Sequence, residues 1–151
     1  MGATVITGKD TLVLNGHVFH DLADADCGKL VYDEDLTKLK VGKDGNAVFG
    51  QNQGGRAGTL TMRVLLGSAD DKYLNGLLSS YLSDSSLYVL DIGSLFKNVG
   101  DGAGNKSSVV YQMLGGAPKK QPETKINTDG DTGQSVAEWL WICAQVARSI
   151  I

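Results

Sequence analysis

The segment Thr59-Leu60-Thr61-Met62-Arg63-Val64-Leu65-Leu66, followed after Gly67 by Ser68-Ala69-Asp70-Asp71-Lys72-Tyr73-Leu74-Asn75-Gly76-Leu77-Leu78, sets a strand beside a helix. In the first half Leu60, Met62, Val64 and Leu66 alternate with Thr59, Thr61 and Arg63. That period of two belongs to a strand with one face in a core and one face wet. In the second half Leu74, Leu77, Leu78, Tyr81 and Leu82 recur at helical spacing and form one apolar stripe. Ser68 stands at the N-cap, and Asp71 three residues on completes a pair close to a capping box, with Asp in place of Glu or Gln. Acidic residues in the first turn also suit the helix dipole. The spacing predicts a helix over 69–83, in which Gly76 costs about 1 kcal/mol relative to Ala, so tertiary packing must support it.

Toward the N-terminus, Thr11-Leu12-Val13-Leu14 and His17-Val18-Phe19-His20 flank Asn15-Gly16. An Asn-Gly pair between apolar runs signals a two-residue hairpin, because a type I′ turn needs positive φ at both central residues. Residues 29–32 read as a strand, and 36–41 as a half-buried strand with apolar and polar residues alternating. Residues 42–58 contain six glycines and read as an extended loop, interrupted by a short strand at 47–49. Toward the C-terminus, 87–96 and 107–114 read as long strands joined by a turn at 101–105, and 118–135 as a polar loop. Residues 136–150 fit both a buried strand and a helical stripe. Trp139, Trp141 and the β-branched residues favour the strand. The chain is expected to be mainly β with one flanking helix, in a single domain over 1–151.

Composition narrows the function. With 42% hydrophobic and 21% charged residues a packed core is affordable, and 20 glycines against only 2 prolines point to many turns and so many strands. The net charge of −3 and the absence of a basic stripe disfavour tight nucleic-acid binding. Met1-Gly2-Ala3-Thr4 begins no export signal and no run of about 18 apolar residues occurs, so neither secretion nor membrane insertion is expected. Cys27 and Cys143 then read as reduced thiols.

No catalytic constellation emerges. His17 and His20 are the only imidazoles, too few for a zinc site and placed beside a hairpin. Gly54-Gly55-Arg56-Ala57-Gly58 precedes a strand, whereas a phosphate loop opens a helix. Asp129-Gly130-Asp131-Thr132-Gly133 lacks the ligand spacing and terminal Glu of a calcium loop, and the Asp24–Asp26 pair has no frame; both read as solvated acidic loops. No catalytic residue, cofactor or metal is assigned.

In their order, these segments resemble the tail tube subunits of long-tailed, contractile-tailed bacteriophages. The likeness rests on Gly58 to Val64 followed by Ser68 to Leu77, on Tyr88-Val89-Leu90-Asp91-Ile92, and on Gly115-Gly116-Ala117-Pro118-Lys119-Lys120-Gln121-Pro122 before Glu138-Trp139. It covers roughly residues 10 to 148; the stretch from Asp21 to Gly58 departs from it. The resemblance implies a β-sandwich or partial barrel, hexameric rings stacked into a tube, and a lumen that conducts DNA during genome ejection without binding it. It implies a virion location after assembly in the host cytoplasm, with tail sheath, tape-measure and baseplate or terminator proteins as partners. Thr59, Thr61, Arg63, Asp91, Ser108 and Gln112 become candidates for the lumen wall, Arg63 alternatively pairing with a neighbouring acid. Gln51, Asn52, Gln53 and Arg56 become candidates for contacts between subunits. The inner tube protein of type VI secretion shares the architecture and is one alternative. A monomeric β-rich module binding a small molecule or carbohydrate is another.

Overall fold

Asn15 and Gly16 take φ of +51° and +81° and close the tight hairpin that their identities predict. The computed structural model describes residues 2–23, 26–126, 128–130 and 132–151. Asp24 and Asp131, weighed above as acidic loop residues, lie outside the described residues. In chain order the elements are β1 (Val5–Ile6), β2 (Thr11–Leu14), β3 (His17–Val18), β4 (Gly28–Tyr32), β5 (Thr37–Val41) and β6 (Ala47–Gln51). A 3-10 turn at Gln53–Arg56 leads into β7 (Gly58–Leu65) and α1 (Ala69–Ser83). A second 3-10 turn at Ser85–Leu87 precedes β8 (Asp91–Gly100), β9 (Lys106–Lys120) and β10 (Val136–Ile150).

Eight strands form one antiparallel sheet, ordered β3-β2-β8-β9-β10-β7-β4 with β1 added on β8, while β5 and β6 pair only with each other. After β3 the chain crosses to the far edge, where Leu22 bridges Val64 and the Ala23 N–H donates to the Arg63 carbonyl. This crossing ties one end of the sheet to the other. The sheet is therefore curled toward closure, a partial barrel and not two stacked layers.

The inner face carries Leu12, Leu14, Leu60, Met62, Val64, Met113, Trp139 and Trp141, and α1 covers it with Leu74 and Leu78. The two tryptophans settle the last segment as a strand, since alternation buries both on one face. Each also needs an acceptor for its indole N–H. Trp139 donates to Asp71 at 2.9 Å and Trp141 to Asp91 at 2.6 Å. Asp71 also accepts from the Gly67 N–H, and the Asp71 N–H donates to Ser68 Oγ, so the cap anticipated at Ser68 doubles as the helix–sheet tether.

Several boundaries differ from expectation. Leu66 and Leu82 are exposed, because β7 ends at Leu65 and the last turn of α1 overhangs the sheet. The strand expected from residue 87 begins at Asp91, and β9 runs on to Lys120 through what reads as loop. At Gly115, φ is +66° and an added Cβ would meet the Ala144 methyl at 2.9 Å. Beside it the burial pattern of β10 shifts phase, from Cys143 to Val146, and the register of β9 against β10 shifts between Leu140 and Trp141. The 42–58 stretch holds β6 and the first 3-10 turn, and the 37–41 strand is exposed on both faces.

Candidate assembly surface

The β5–β6 hairpin stands off the body as an arm. Its register pairs Leu39 with Phe49 and Val41 with Ala47, which places these four on one face and Lys38 and Lys40 on the other. Leu39, Val41 and Phe49 are all exposed, Phe49 to 71%. The foot of the arm is tied down by hydrogen bonds. Asn52 Oδ1 caps the 3-10 turn by accepting from the Gly54 N–H, its Nδ2 donates to the Asp35 carbonyl at 2.9 Å, and the Asn52 N–H donates to the Leu36 carbonyl. Gly55 is buried against this foot, where an added Cβ would lie 2.8 Å from the Asp35 carbonyl oxygen and from Leu36 Cα. Of the four contact candidates, Gln51, Gln53 and Arg56 are exposed. Asn52 is engaged within its own chain and positions the arm.

A second exposed apolar surface follows α1. Leu87, Val89, Leu90 and Ile92 all point outward, Val89 to 85% exposure. They are held there by polar neighbours turned inward. Tyr88 donates to Asp91 and stacks edge-on against Tyr81, and Asp91, 1% exposed, also accepts from Asn15 Nδ2 and Trp141 Nε1. Burial, with the Asp91 carboxylate beside it, pushes the Tyr88 hydroxyl far above the usual tyrosine range. Asp91 is therefore removed from the surface candidates: its carboxylate is satisfied inside the fold. Nothing in its sequence context, flanked by Leu90 and Ile92, distinguishes it from a wet-face acid.

The remaining candidates lie on the face of the sheet away from the core. Thr61 and Arg63 are half-exposed, and Arg63 Nη1 pairs with Glu138 at 3.1 Å, directly across from it in register. Thr59 is only 8% exposed, because its hydroxyl donates to the Asp33 carboxylate and Lys119 lies 3.3 Å away. It is covered, although the alternation puts it on the wet side. Ser108 and Gln112 alternate with Tyr111 and Met113, which face the core. Cross-strand neighbours extend this row to Ser94, Asn98 and Ala147, with Val110 and its partner Phe96 between them and Lys106 next along β9. From residue 144 onward the side of β10 that β7 leaves has no partner strand among the described residues.

A buried carboxylate that reading the sequence missed is Asp70. It accepts from His17 Nε2 at 2.7 Å and from the His20 and Asp21 N–H groups, which binds the first hairpin to the start of α1. His17 is stacked on Tyr73 and is structural. Cys27 and Cys143 are free thiols, and burial, reinforced by Asp91 and Asp33, pushes Cys143 up to about 11. Among the described residues no cluster of three or more His, Cys, Asp or Glu is arranged to hold a metal, and no helix is long and apolar enough to cross a membrane.

This fold, an antiparallel sheet with one flanking helix, is shared with chains of contractile injection systems. One chain of the sheath–tube complex of an extracellular contractile injection system, PVC, in its extended state, superposes with a TM-score of 0.67 at 10% identity, over 97% of this chain and 92% of that one. A chain of the PVC sheath/tube terminator, also extended, gives 0.60 at 12% identity, over 96% of each. No curated protein matches the sequence. Residues 11–150 match the family described as Bacteriophage PhiTE tail tube protein, and the chain belongs to that family. It is a structural subunit of a phage tail tube and a component of the virion tail.

Proposed function

We propose that six copies close into a ring, that rings stack into a tube, and that the tube conducts DNA during ejection. The observation that carries this reading is the arm. A two-stranded hairpin is marginal in water without a third strand or a packed face, and β5 and β6 make their main contacts only with each other. An apolar face held out on a hydrogen-bonded foot needs a second copy to cover it. The open side of β10 is a second incompleteness, since an unpaired strand edge invites pairing and ring closure removes it.

In this reading the row of Ser94, Asn98, Ser108 and Gln112, which faces Ala147 of β10, lines the lumen, and Thr61 and the Arg63–Glu138 pair lie farther along the same sheet face, at the Glu138–Leu140 end of β10. The residues of that row carry no charge and offer DNA phosphates nothing to neutralise; the cations on this face include Lys29, across from Thr61, and Lys106, two residues before Ser108. Gln51, Gln53 and Arg56 sit at the foot of the arm where a neighbour meets it. The subunit acts by assembly and carries out no catalysis. It is assembled in the host cytoplasm, and sheath, tape-measure and terminator or baseplate proteins contact the finished tube of a contractile tail.

Negative-stain electron microscopy of the purified protein at several concentrations tests the reading. Rings or hollow tubes of uniform width are expected. Replacing residues 51–55 should weaken stacking while the domain stays folded. Tubes unchanged after that replacement would remove the arm from the assembly.

A further inference from the structure

We infer that the apolar face of the arm seats on the Leu87–Ile92 ledge of a second copy, in a head-to-tail contact between two unlike surfaces of the same chain. The inference rests on the tube reading above and names the receiving surface within it.

Both surfaces are exposed by construction. At the ledge, Tyr88 and Asp91 turn inward into the network with Asn15 and Trp141, and Ser86 is tied to Asp84. Those bonds force Leu87, Val89, Leu90 and Ile92 outward. At the arm, the Asn52 and Gly55 foot does the same for Leu39, Val41 and Phe49. Preorganised apolar surfaces bind with less ordering cost than flexible ones. The ledge also offers backbone. Tyr88 to Leu90 runs into β8 outside any strand pairing, so the two-stranded arm could gain there the third strand it lacks.

Symmetry and charge favour unlike surfaces meeting. If arm met arm, the contact would be self-complementary and stop at a dimer, whereas a heterologous contact propagates or closes a ring. The arm from Thr37 to Gln51 carries three lysines against one aspartate, which leaves eleven basic and sixteen acidic side chains in the rest of the chain. A basic arm is thus drawn toward the acidic body of another copy and repelled by another arm. Asp84, at the near end of the ledge, is held in its charged form by hydrogen bonds from Ser86, the side chain first.

The test is cross-linking within assembled protein. Phe49→Cys and Val89→Cys are combined in a Cys27→Ser background, with the buried Cys143 left in place, and oxidised after assembly. A non-reducing gel should show a ladder of multiples beyond dimer, absent from each single-cysteine variant. In parallel, Val89→Arg should melt like the wild type and fail to assemble. Assembly that proceeds without cross-links, or with a dimer band only, or that survives Val89→Arg, would overturn the arm–ledge contact while leaving the tube reading intact. A wild-type protein that forms neither rings nor tubes at any concentration would defeat that reading, and this contact with it.

Discussion

Replacing Asp91 by Ala separates a buried anchor from a surface acid. The carboxylate accepts from Asn15 Nδ2, from the Tyr88 hydroxyl and from Trp141 Nε1. Each hydrogen bond to a charged acceptor contributes about 1.5–3 kcal/mol net, and a buried donor left unpaired costs about 1–3 kcal/mol. Trp141 is fully buried and its indole N–H loses its acceptor, while Asn15 and Tyr88 are nearer the surface and recover part of theirs from water. The expected loss is about 3–5 kcal/mol. For a domain of this size each kcal/mol moves Tm by about 2–4 °C, so a fall on the order of 10 °C should follow. Urea unfolding followed by tryptophan fluorescence measures the loss directly and reports on Trp141 at the same time. Tyr88→Phe should cost about 1.5–3 kcal/mol, less than Asp91→Ala, because two donors still hold the carboxylate. A double-mutant cycle should show the two changes to be coupled. If Asp91→Ala melts within about 1 kcal/mol of the wild type, Asp91 does not anchor Trp141, Tyr88 and Asn15 and a surface role for it returns.

Gly76→Ala should stabilise the protein by about 0.8–1 kcal/mol in urea melts, because an added Cβ there meets nothing within 4 Å. Removing the helix cap by Ser68→Ala should cost about 1 kcal/mol in the same assay. Gly55→Ala should leave the melting of the body nearly unchanged while sharply reducing assembly in sedimentation, since the clash falls on the foot of the arm; normal sedimentation would show that the foot does not set the arm's pose. Cys143, raised to about 11, stays protonated at neutral pH, and a disulfide reagent at pH 8 should modify Cys27 in the native protein and Cys143 only on unfolding. Its folded value lies above the ordinary value of 9.0, so its stabilising contribution is complete below about pH 9 and is lost as pH rises through about 11. Tyr88, raised by burial and by Asp91, acts in the same direction at still higher pH. Denaturation midpoints across alkaline pH should therefore fall, and a flat profile would contradict the burial of both groups.

What could be read from the sequence were the features written in local chemistry. Asn15-Gly16 admits the positive φ of its turn, Ser68 with Asp71 marks the start of α1, and Leu60, Met62 and Val64 define an inward face without knowledge of any partner. Each depends on residues within a few positions of one another, where backbone sterics and periodicity act. The arm was half visible in the same way: Leu39 and Val41 alternate with Lys38 and Lys40, as one face of a sheet requires.

Tertiary structure decided what covers each face. Alternation says that Thr59 and Asp91 are polar residues in strands, but not that Asp33 and Lys119 close over one, or that Asn15, Tyr88 and Trp141 converge on the other. The same pattern that buries Val64 leaves Leu39 exposed, because one strand has the core opposite and the other has nothing packed on it among the described residues. Periodicity fixes the side to which a residue points, through the backbone geometry of its own strand. What lies on that side depends on contacts between residues distant in sequence.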